Sequence, residues 1–334
     1  MTARRAALPV ALRDAPRLRL IDAPSPLQPL PRLGAALGGR FDLWIKREDL
    51  LPLAFGGNKL RNLEFLLGEA LAAGADVLVT SGRRWSNHCR LTAAAGARAG
   101  LEVHLVLSGP AEPASPGPLL GRLLGATVHL TAGADRAERA ALVEQVAAEL
   151  RGAGRRPFVI DVGGSGETGA LGQVAAALEL VEQASGRRVV PDVIVVPSAT
   201  GGTQAGLLVG LRASGLATAV AGFAVTAPAA ELRLKVELLA ARLAARLGTA
   251  VGPADIELDD SQLGPGYGVR TVAAGEASRL LARTEGLLVD PIYTAKALAG
   301  LVARARAGTL DGRTVVFWHA GGLPALFEPL EGTA

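Results

Sequence analysis

Lysine is scarce in this chain, with four residues against thirty-one arginines. Arginine serves for general basic duty, so each retained lysine invites a role closed to a guanidinium, such as losing its proton to become a nucleophilic amine. Cysteine is scarcer still: the single Cys89 cannot close an internal disulfide and points to a reducing cytoplasm. Aromatic residues make up only 4 %, as suits buried parallel strands covered by Ala- and Leu-rich helices. No apolar run is long enough to cross a bilayer. Residues 1–19 lack the uninterrupted apolar core and small-residue cleavage site of a secretory signal. The net charge of +4 is scattered along the chain, which argues against a nucleic-acid partner. Internal repeats and low-complexity linkers are also missing.

What is present is an alternation of strand and helix patterns. With 334 residues there is room for two domains with separate cores. Residues 1–40 are punctuated by Pro24, Pro26, Pro29 and Pro31 and read as an extended arm leading to a short strand over 43–45. Helical apolar spacing covers 62–73, followed by a strand at 77–82 and a helix over 87–100 stopped by glycine. Strands at 103–107 and 127–130 alternate with helices over 118–125 and 136–151. A strand at 158–162 leads into Gly163-Gly164-Ser165-Gly166 and a helix over 170–185; another at 192–197 leads into a helix ending at 211. Further strands fall at 219–225 and 315–318, with a helix over 229–247 between them. This is the pattern of an α/β fold with right-handed crossovers, whose ligands gather at the carboxyl ends of parallel strands.

Five groups of residues carry chemistry. Lys59 stands on a glycine-bordered turn, Ala54-Phe55-Gly56-Gly57-Asn58-Lys59, before a helix. Ala199-Thr200-Gly201-Gly202-Thr203 follows a buried strand; it is either a plain tight turn or a cradle of backbone amides and hydroxyls for a phosphate. It lacks the P-loop lysine and the GxGxxG spacing, which weakens nucleotide readings. Ser86-Asn87-His88 opens a helix, where Ser86 is an N-cap, a carboxylate receptor, or both. Cys89 cannot pair with adjacent His88 as a dyad, because neighbours on a helix diverge by about 100°; it reads as a small buried apolar group. The only two tyrosines, Tyr267 and Tyr293, lie beside glycine or proline in apparent loops, as packing residues or as catalysts. His319, before Ala320-Gly321-Gly322, reads as a core histidine or a site residue.

Taken together, these segments resemble the pyridoxal-phosphate enzymes of fold type II, the tryptophan synthase β-like group. Within that group they are similar to the family of D-cysteine desulfhydrase and 1-aminocyclopropane-1-carboxylate (ACC) deaminase. The likeness runs from Ile45-Lys46-Arg47-Glu48-Asp49 through Phe55-Gly56-Gly57-Asn58-Lys59, Thr203-Gln204-Ala205-Gly206 and Asp290-Pro291-Ile292-Tyr293-Thr294 to His319-Ala320-Gly321-Gly322. It implies two open, twisted, mostly parallel sheets flanked by helices, with a large domain of residues 1–58 plus 164–334 and a small one of 59–163. It further implies pyridoxal 5′-phosphate on Lys59 as a Schiff base, with the phosphate held by Ala199, Thr200, Gly201, Gly202 and Thr203. By the same resemblance Asn87 meets the cofactor's phenolic oxygen, and Ser86, Asn87 and His88 meet the substrate carboxylate. Tyr267 and Tyr293 flank the reacting carbon, with Tyr293 or Ser86 as acid/base partner to Lys59, and Thr294 faces the pyridine nitrogen. A metal is not implied; a homodimer is the family's habit.

Threonine at 294, where ACC deaminases have glutamate, favours β-elimination over ring opening, because a hydroxyl leaves the ring nitrogen neutral. The expected reaction is elimination on a D-cysteine-like amino acid to a 2-oxo acid and ammonia. ACC deamination and a diverged β-replacement are the alternatives. Three departures from the family bear on the substrate. Arg83-Arg84-Trp85 replaces a small polar stretch, bringing charge and a bulky Trp85 to the substrate side. Asn62 stands where a second lysine is common, near the phosphate, and Ser165-Gly166-Glu167 interrupts a stretch usually holding asparagine. Lys235 sits on an ordinary helix with no assigned role.

Overall fold

The computed structural model describes residues 10–109, 115–131, 133 and 135–330. In chain order the elements are α1 (Val10–Arg13), β1 (Leu27–Pro29), α2 (Pro31–Ala36), β2 (Asp42–Arg47), α3 (Lys59–Ala72), β3 (Val77–Arg83), α4 (Asn87–Ala99), β4 (Glu102–Ser108), α5 (Pro116–Leu123), β5 (Thr127–Thr131) and α6 (Arg136–Gly152). There follow β6 (Pro157–Ile160), α7 (Glu167–Gly186), β7 (Val193–Ser198), α8 (Gly202–Ala213), β8 (Ala219–Ala224), α9 (Ala229–Leu247), β9 (Glu257–Asp259), α10 (Val272–Glu285), α11 (Thr294–Arg306) and β10 (Thr314–His319).

Two sheets result. One has the order β1-β2-β10-β7-β8-β9 and the other β5-β4-β3-β6. Every pairing is parallel except that of the edge strand β1 with β2. The central strands are buried on both faces. Along β7, Ile194 and Val196 turn toward the core beneath α7, α8 and α9, while Val193 and Val195 turn toward the core beneath α10 and α11. That is the period-2 alternation of a strand covered on both sides. In the second sheet Leu78, Leu105 and Ile160 face α3 and α4, and Val77, Val79 and Val106 face Val143 and Val146 of α6.

The proline-rich arm is more structured than its composition implies. Pro29 ends the edge strand β1, where no ladder donor is needed, and Pro31 is the first residue of α2, the helical position that tolerates a missing N–H. The strand expected over 158–162 ends at Ile160 and gives way to a 3-10 turn, Val162–Gly164, because Gly163 and Gly164 take φ of +75° and +55°. Helices α10 and α11 were not anticipated, although Leu298, Leu301, Val302 and Ala305 have the spacing of a buried helical face. Among the described residues no helix is long and apolar enough to cross a membrane.

Buried charges tie the arm to the helices behind the site. Fully buried Lys46 donates to Ser25 O (2.6 Å), Glu179 Oε1 (2.5 Å) and Gln183 Oε1 (2.7 Å). Arg61 of α3 clamps Glu48 through Nε (2.6 Å) and Nη2 (2.8 Å) and also reaches both oxygens of Glu179 on α7.

Candidate active site

The turn before α3 is held in an uncommon conformation. Leu53, Ala54 and Phe55 have φ of 73°, 43° and 67°, a left-handed run that costs side-chain-bearing residues about 1–2 kcal/mol each. Such strain persists only where surroundings impose it, and here Arg90 of α4 donates to Ala54 O and to Gly56 O. The next residues lie against the turn that follows β10: a side chain on Gly321 would stand 2.5 Å from Gly57 Cα, and Asn58 N donates to Ala320 O (3.0 Å). Lys59 therefore enters α3 at the junction of both sheets. Its Nζ donates to Gly163 O (2.8 Å) and lies 3.5 Å from Ser165 Oγ. Burial depresses its pKa from 10.5 to about 8, because a charged amine loses hydration there.

At the start of α4, Ser86 is the N-cap, its Oγ accepting from Cys89 N (3.2 Å) and keeping its own proton to donate. Asn87 Oδ1 accepts from Arg90 Nη2 (3.1 Å), which leaves the Nδ2 hydrogens for a ligand. His88 is buried. Thr80 Oγ1 gives its one proton to Ile160 O (2.8 Å), so its contact with His88 Nε2 (3.0 Å) must be donated by the ring. His88 Nδ1 is then a bare acceptor, and it has no hydrogen-bond partner. Burial, followed by the charge of Lys59, lowers the His88 pKa to about 3, so the ring is neutral at ordinary pH. The Cys89 thiol is pushed up by burial to about 11, which suits a packing group rather than a nucleophile.

Across from these, Gly201 (φ +84°) caps α8 with no side-chain bond, so the first-turn amides of α8 are left for an anion. Thr203 Oγ1 accepts from Asn58 Nδ2 (2.8 Å) and retains its proton to donate. Thr200 Oγ1 and Ser165 Oγ are 2.5 Å apart. The tyrosine hydroxyls of Tyr267 and Tyr293 hydrogen-bond each other, and burial raises both above the usual phenol value. Both therefore remain protonated at neutral pH.

One cavity of about 760 Å³ is lined by Lys59, Ser86, Asn87, His88, Ala199, Thr200, Gly201, Thr203, Tyr267 and Tyr293. Three expected site residues stand behind this lining. A side chain on Gly202 would meet Ser165 Oγ at 2.8 Å. Trp85 is buried edge-on against Tyr267, ring centroids 5.7 Å apart, and supports that tyrosine rather than facing substrate. Thr294 gives its proton to Asp290 Oδ2 and accepts from Asp290 N (3.1 Å), so its remaining capacity is one lone pair. His319 is a satisfied core residue, its Nε2 on Leu288 O (2.8 Å).

The structure adds Arg136 and Arg139, which sequence reading passed over, and gives a place to Ser165 and Lys235, which it named without a contact of their own. Ser165, Arg136, Arg139 and Lys235 line the cavity. Lys235 is not incidental: it pairs with Glu231 at 2.8 Å beside the Gly201 turn, where a side chain on Gly201 would stand 3.0 Å from Val236 Cγ2. Asn62 does not reach the cavity; its amide holds Gly164 O (2.8 Å) and Gln173, shaping the turn that receives Lys59. Arg84 turns away to Glu328 (3.3 Å) and Pro329 O (3.1 Å).

A family model, Pyridoxal-phosphate dependent enzyme, matches residues 18–321. The chain belongs to the pyridoxal-phosphate dependent enzymes. It is 41 % identical over 319 residues to a D-cysteine desulfhydrase of Salmonella typhi, covering 93 % of this chain and 95 % of that one. It is 42 % identical over 323 residues to a D-cysteine desulfhydrase of Yersinia enterocolitica, covering 95 % and 96 %. A crystal structure described as an ACC deaminase homologue superposes with a TM-score of 0.87 at 38 % identity, covering 94 % of each chain. A threonine deaminase from T.th., at 24 % identity and a TM-score of 0.64 over 89 % of this chain and 92 % of that one, shares the fold.

The residues present fit the cofactor of this family. A phosphate needs unshared donors, and the uncapped start of α8 with Thr203 and the Thr200–Ser165 pair supplies them. An aldehyde needs an amine that is neutral part of the time, and Lys59 at about 8 is about a quarter neutral at pH 7.5. In the apoenzyme, modification of Lys59 by an amine-selective reagent, followed by peptide mass analysis, should accelerate with pH around a midpoint near 8. A midpoint near that of an ordinary lysine would contradict this placement of the amine.

Proposed function

We propose that this chain is a pyridoxal-phosphate lyase that carries out α,β-elimination on a β-substituted amino acid, with D-cysteine as the reference substrate. The products are pyruvate, ammonia and the leaving group. The observation that carries the reading is the Lys59 amine, held near pKa 8 in one cavity with a hydrogen-bonded tyrosine pair. The names of its curated relatives, D-cysteine desulfhydrases, supply the substrate class.

When bound, the cofactor supplies an aldehyde for amines and a conjugated ring that takes up negative charge from the substrate's α-carbon. Thr200, Thr203, Ser165 and the α8 amides would hold its phosphate, Lys59 Nζ its aldehyde carbon, and Asn87 Nδ2 its ring oxygen. The substrate carboxylate would sit at the start of α4, receiving the Ser86 hydroxyl and the positive end of the helix. Lys59 Nζ, neutral part of the time at about pKa 8, takes the α-proton; a base near the working pH is the efficient choice. The C–H electron pair forms the Cα–Cβ double bond as the Cβ–S bond breaks, and sulfur leaves with its pair. One tyrosine proton is shared within the pair and the other is available for the departing sulfur. Water then converts the enamine to pyruvate and ammonia.

Tyr293→Phe should lower kcat by about 10²–10³-fold, the worth of one proton donor, while visible absorption of the bound cofactor persists. An unchanged kcat would remove the tyrosine pair from the chemistry. The likeness to the ACC deaminase homologue makes ring opening of ACC the second reading. A panel of D- and L-cysteine, β-chloroalanine, D-serine and ACC separates the two. Pyruvate and sulfide from cysteine are expected; 2-oxobutanoate from ACC with no pyruvate from the others would overturn the elimination. Product formation that changes when a thiol is added would indicate β-replacement.

A further inference from the structure

Arg90 is a buried cation in a place that disfavours one. It is 3 % exposed and closes the first turn of α4, its backbone N–H donating to Ser86 O (3.2 Å), where the helix dipole already gathers positive charge. Burial depresses its pKa from 12.5 to about 10, and among the described residues no carboxylate stands by to raise it again. Arg61 and Arg84, also buried, each have one, Glu48 and Glu328. A buried guanidinium without a counter-ion opposes folding, so its retention calls for a use.

Neutral acceptors hold it instead. Nη1 donates to Ala54 O and Nη2 to Gly56 O (3.2 Å), carbonyls of the turn in which Leu53, Ala54 and Phe55 are left-handed. Carbonyl oxygens satisfy the guanidinium hydrogens without cancelling the charge. Nη2 also donates to Asn87 Oδ1 (3.1 Å), and that bond decides which way the Asn87 amide faces. Turned over, the amide would set its own hydrogens against those of Arg90. Arg90 does not line the cavity and Asn87 does, so Asn87 is where the hold of Arg90 reaches a ligand.

We propose that Arg90 is a positioning residue, a cation kept without a counter-ion so that the Asn87 amide presents only donors to the cavity and is polarised toward an oxygen anion there. The inference rests on the cofactor placement given above, with Asn87 Nδ2 on the ring oxygen. A carboxylate at position 87 would serve the fold better and the site worse. It would neutralise Arg90 through a charge-assisted bond, and it would put an acceptor where the ring oxygen needs a donor. Asparagine has the same shape and keeps the donor.

The test uses the apoenzyme and pyridoxine 5′-phosphate, which has the ring oxygen and phosphate of the cofactor but no aldehyde. Its Kd, read by calorimetry, is independent of covalent attachment to Lys59 and of turnover. Arg90→Met should raise that Kd by about 10-fold, the worth of one positioned hydrogen bond. In an Asn87→Ala background the same change should alter Kd by less than about 2-fold, since the group through which Arg90 acts is gone. Asn87→Asp should raise Kd by about 100-fold, the worth of a charged hydrogen bond, while raising the apoenzyme Tm at neutral pH by about 3 °C as Arg90 gains its counter-ion. Equal weakening by Arg90→Met with and without the Asn87 amide would make the arginine a prop for the turn and overturn the proposal, as would a Kd unmoved by Arg90→Met. If Arg90→Met does not fold, Asn87→Asp decides: unchanged binding, or weaker binding with a lowered Tm, overturns it. Wild-type apoenzyme that does not bind the probe would remove the cofactor placement and the proposal with it. Holoenzyme that forms but releases no pyruvate from any substrate would remove the elimination reading alone, and the comparison of variants would still decide the role of Arg90.

Discussion

Lys59→Ala is expected to eliminate the visible absorption of bound cofactor and to cut pyruvate release by at least about 10⁴-fold, since both covalent attachment and the base are lost. Lys59→Arg should fail equally: it restores charge but has no dissociable proton at working pH. A purely electrostatic role for residue 59 predicts rescue by arginine, so recovery in that variant would refute the assignment. Stability should move the other way. Lys59 has a folded pKa of about 8, below its ordinary 10.5, so the unfolded chain binds more protons between those values and the amine opposes folding below them. Apoenzyme stability should therefore rise with pH between about 8 and 10.5 through this group, and Lys59→Ala should raise the apoenzyme Tm at pH 7. An activity loss joined to a stability gain is the signature of a residue kept for chemistry against its folding cost.

How much of this was legible in the sequence depends on what each feature rests on. Strands such as β3 and β7 were readable because both faces are buried and apolar runs between glycines mark them. Lys59, Ser86 and the 199–203 turn were readable because punctuation of the chain by glycine and an N-cap is local chemistry. Facing is not local. Arg83 and Arg84 are successive residues that diverge, one to the cavity and one to Glu328, and composition alone cannot say which is which. Lys235 looks like any surface lysine on α9 until α9 is seen against the Gly201 turn. The identity of Thr294 was plain, but not that Asp290, four residues earlier, accepts its proton. The hydroxyl-for-carboxylate contrast at 294 thus has a carboxylate directly behind it, a relation set by the close approach of the loop to α11.

Arg61→Met should produce the largest loss of stability in the molecule's polar interior, about 3–5 kcal/mol, because removing one partner leaves buried charge uncompensated. Burial opposes the charge on Arg61, yet Glu48 and Glu179 outweigh it and hold the guanidinium above its ordinary pKa. Glu48 is fully buried, and its carboxylate would be left with the neutral hydroxyl of Ser25 in place of a cation. Glu179, opposed by burial but held down by Arg61 and Lys46, titrates below its usual 4.5. Its contribution is therefore complete above that pH and lost as pH falls through the folded value. In thermal melts Tm should drop by roughly 10 °C, whereas the volume-matched replacement of both partners, Arg61→Met with Glu48→Met, should recover much of the loss. The consequence extends to the site. Arg61 lies two residues beyond Lys59 on α3 and grips α7, which begins just after Ser165, so the cluster fixes the distance between the Lys59 amine and Gly163 O. Arg61→Met should accordingly weaken cofactor loading, read by absorbance titration of the apoenzyme, although Arg61 does not line the cavity. Unaltered loading with lowered Tm would confine the cluster to a role in stability alone.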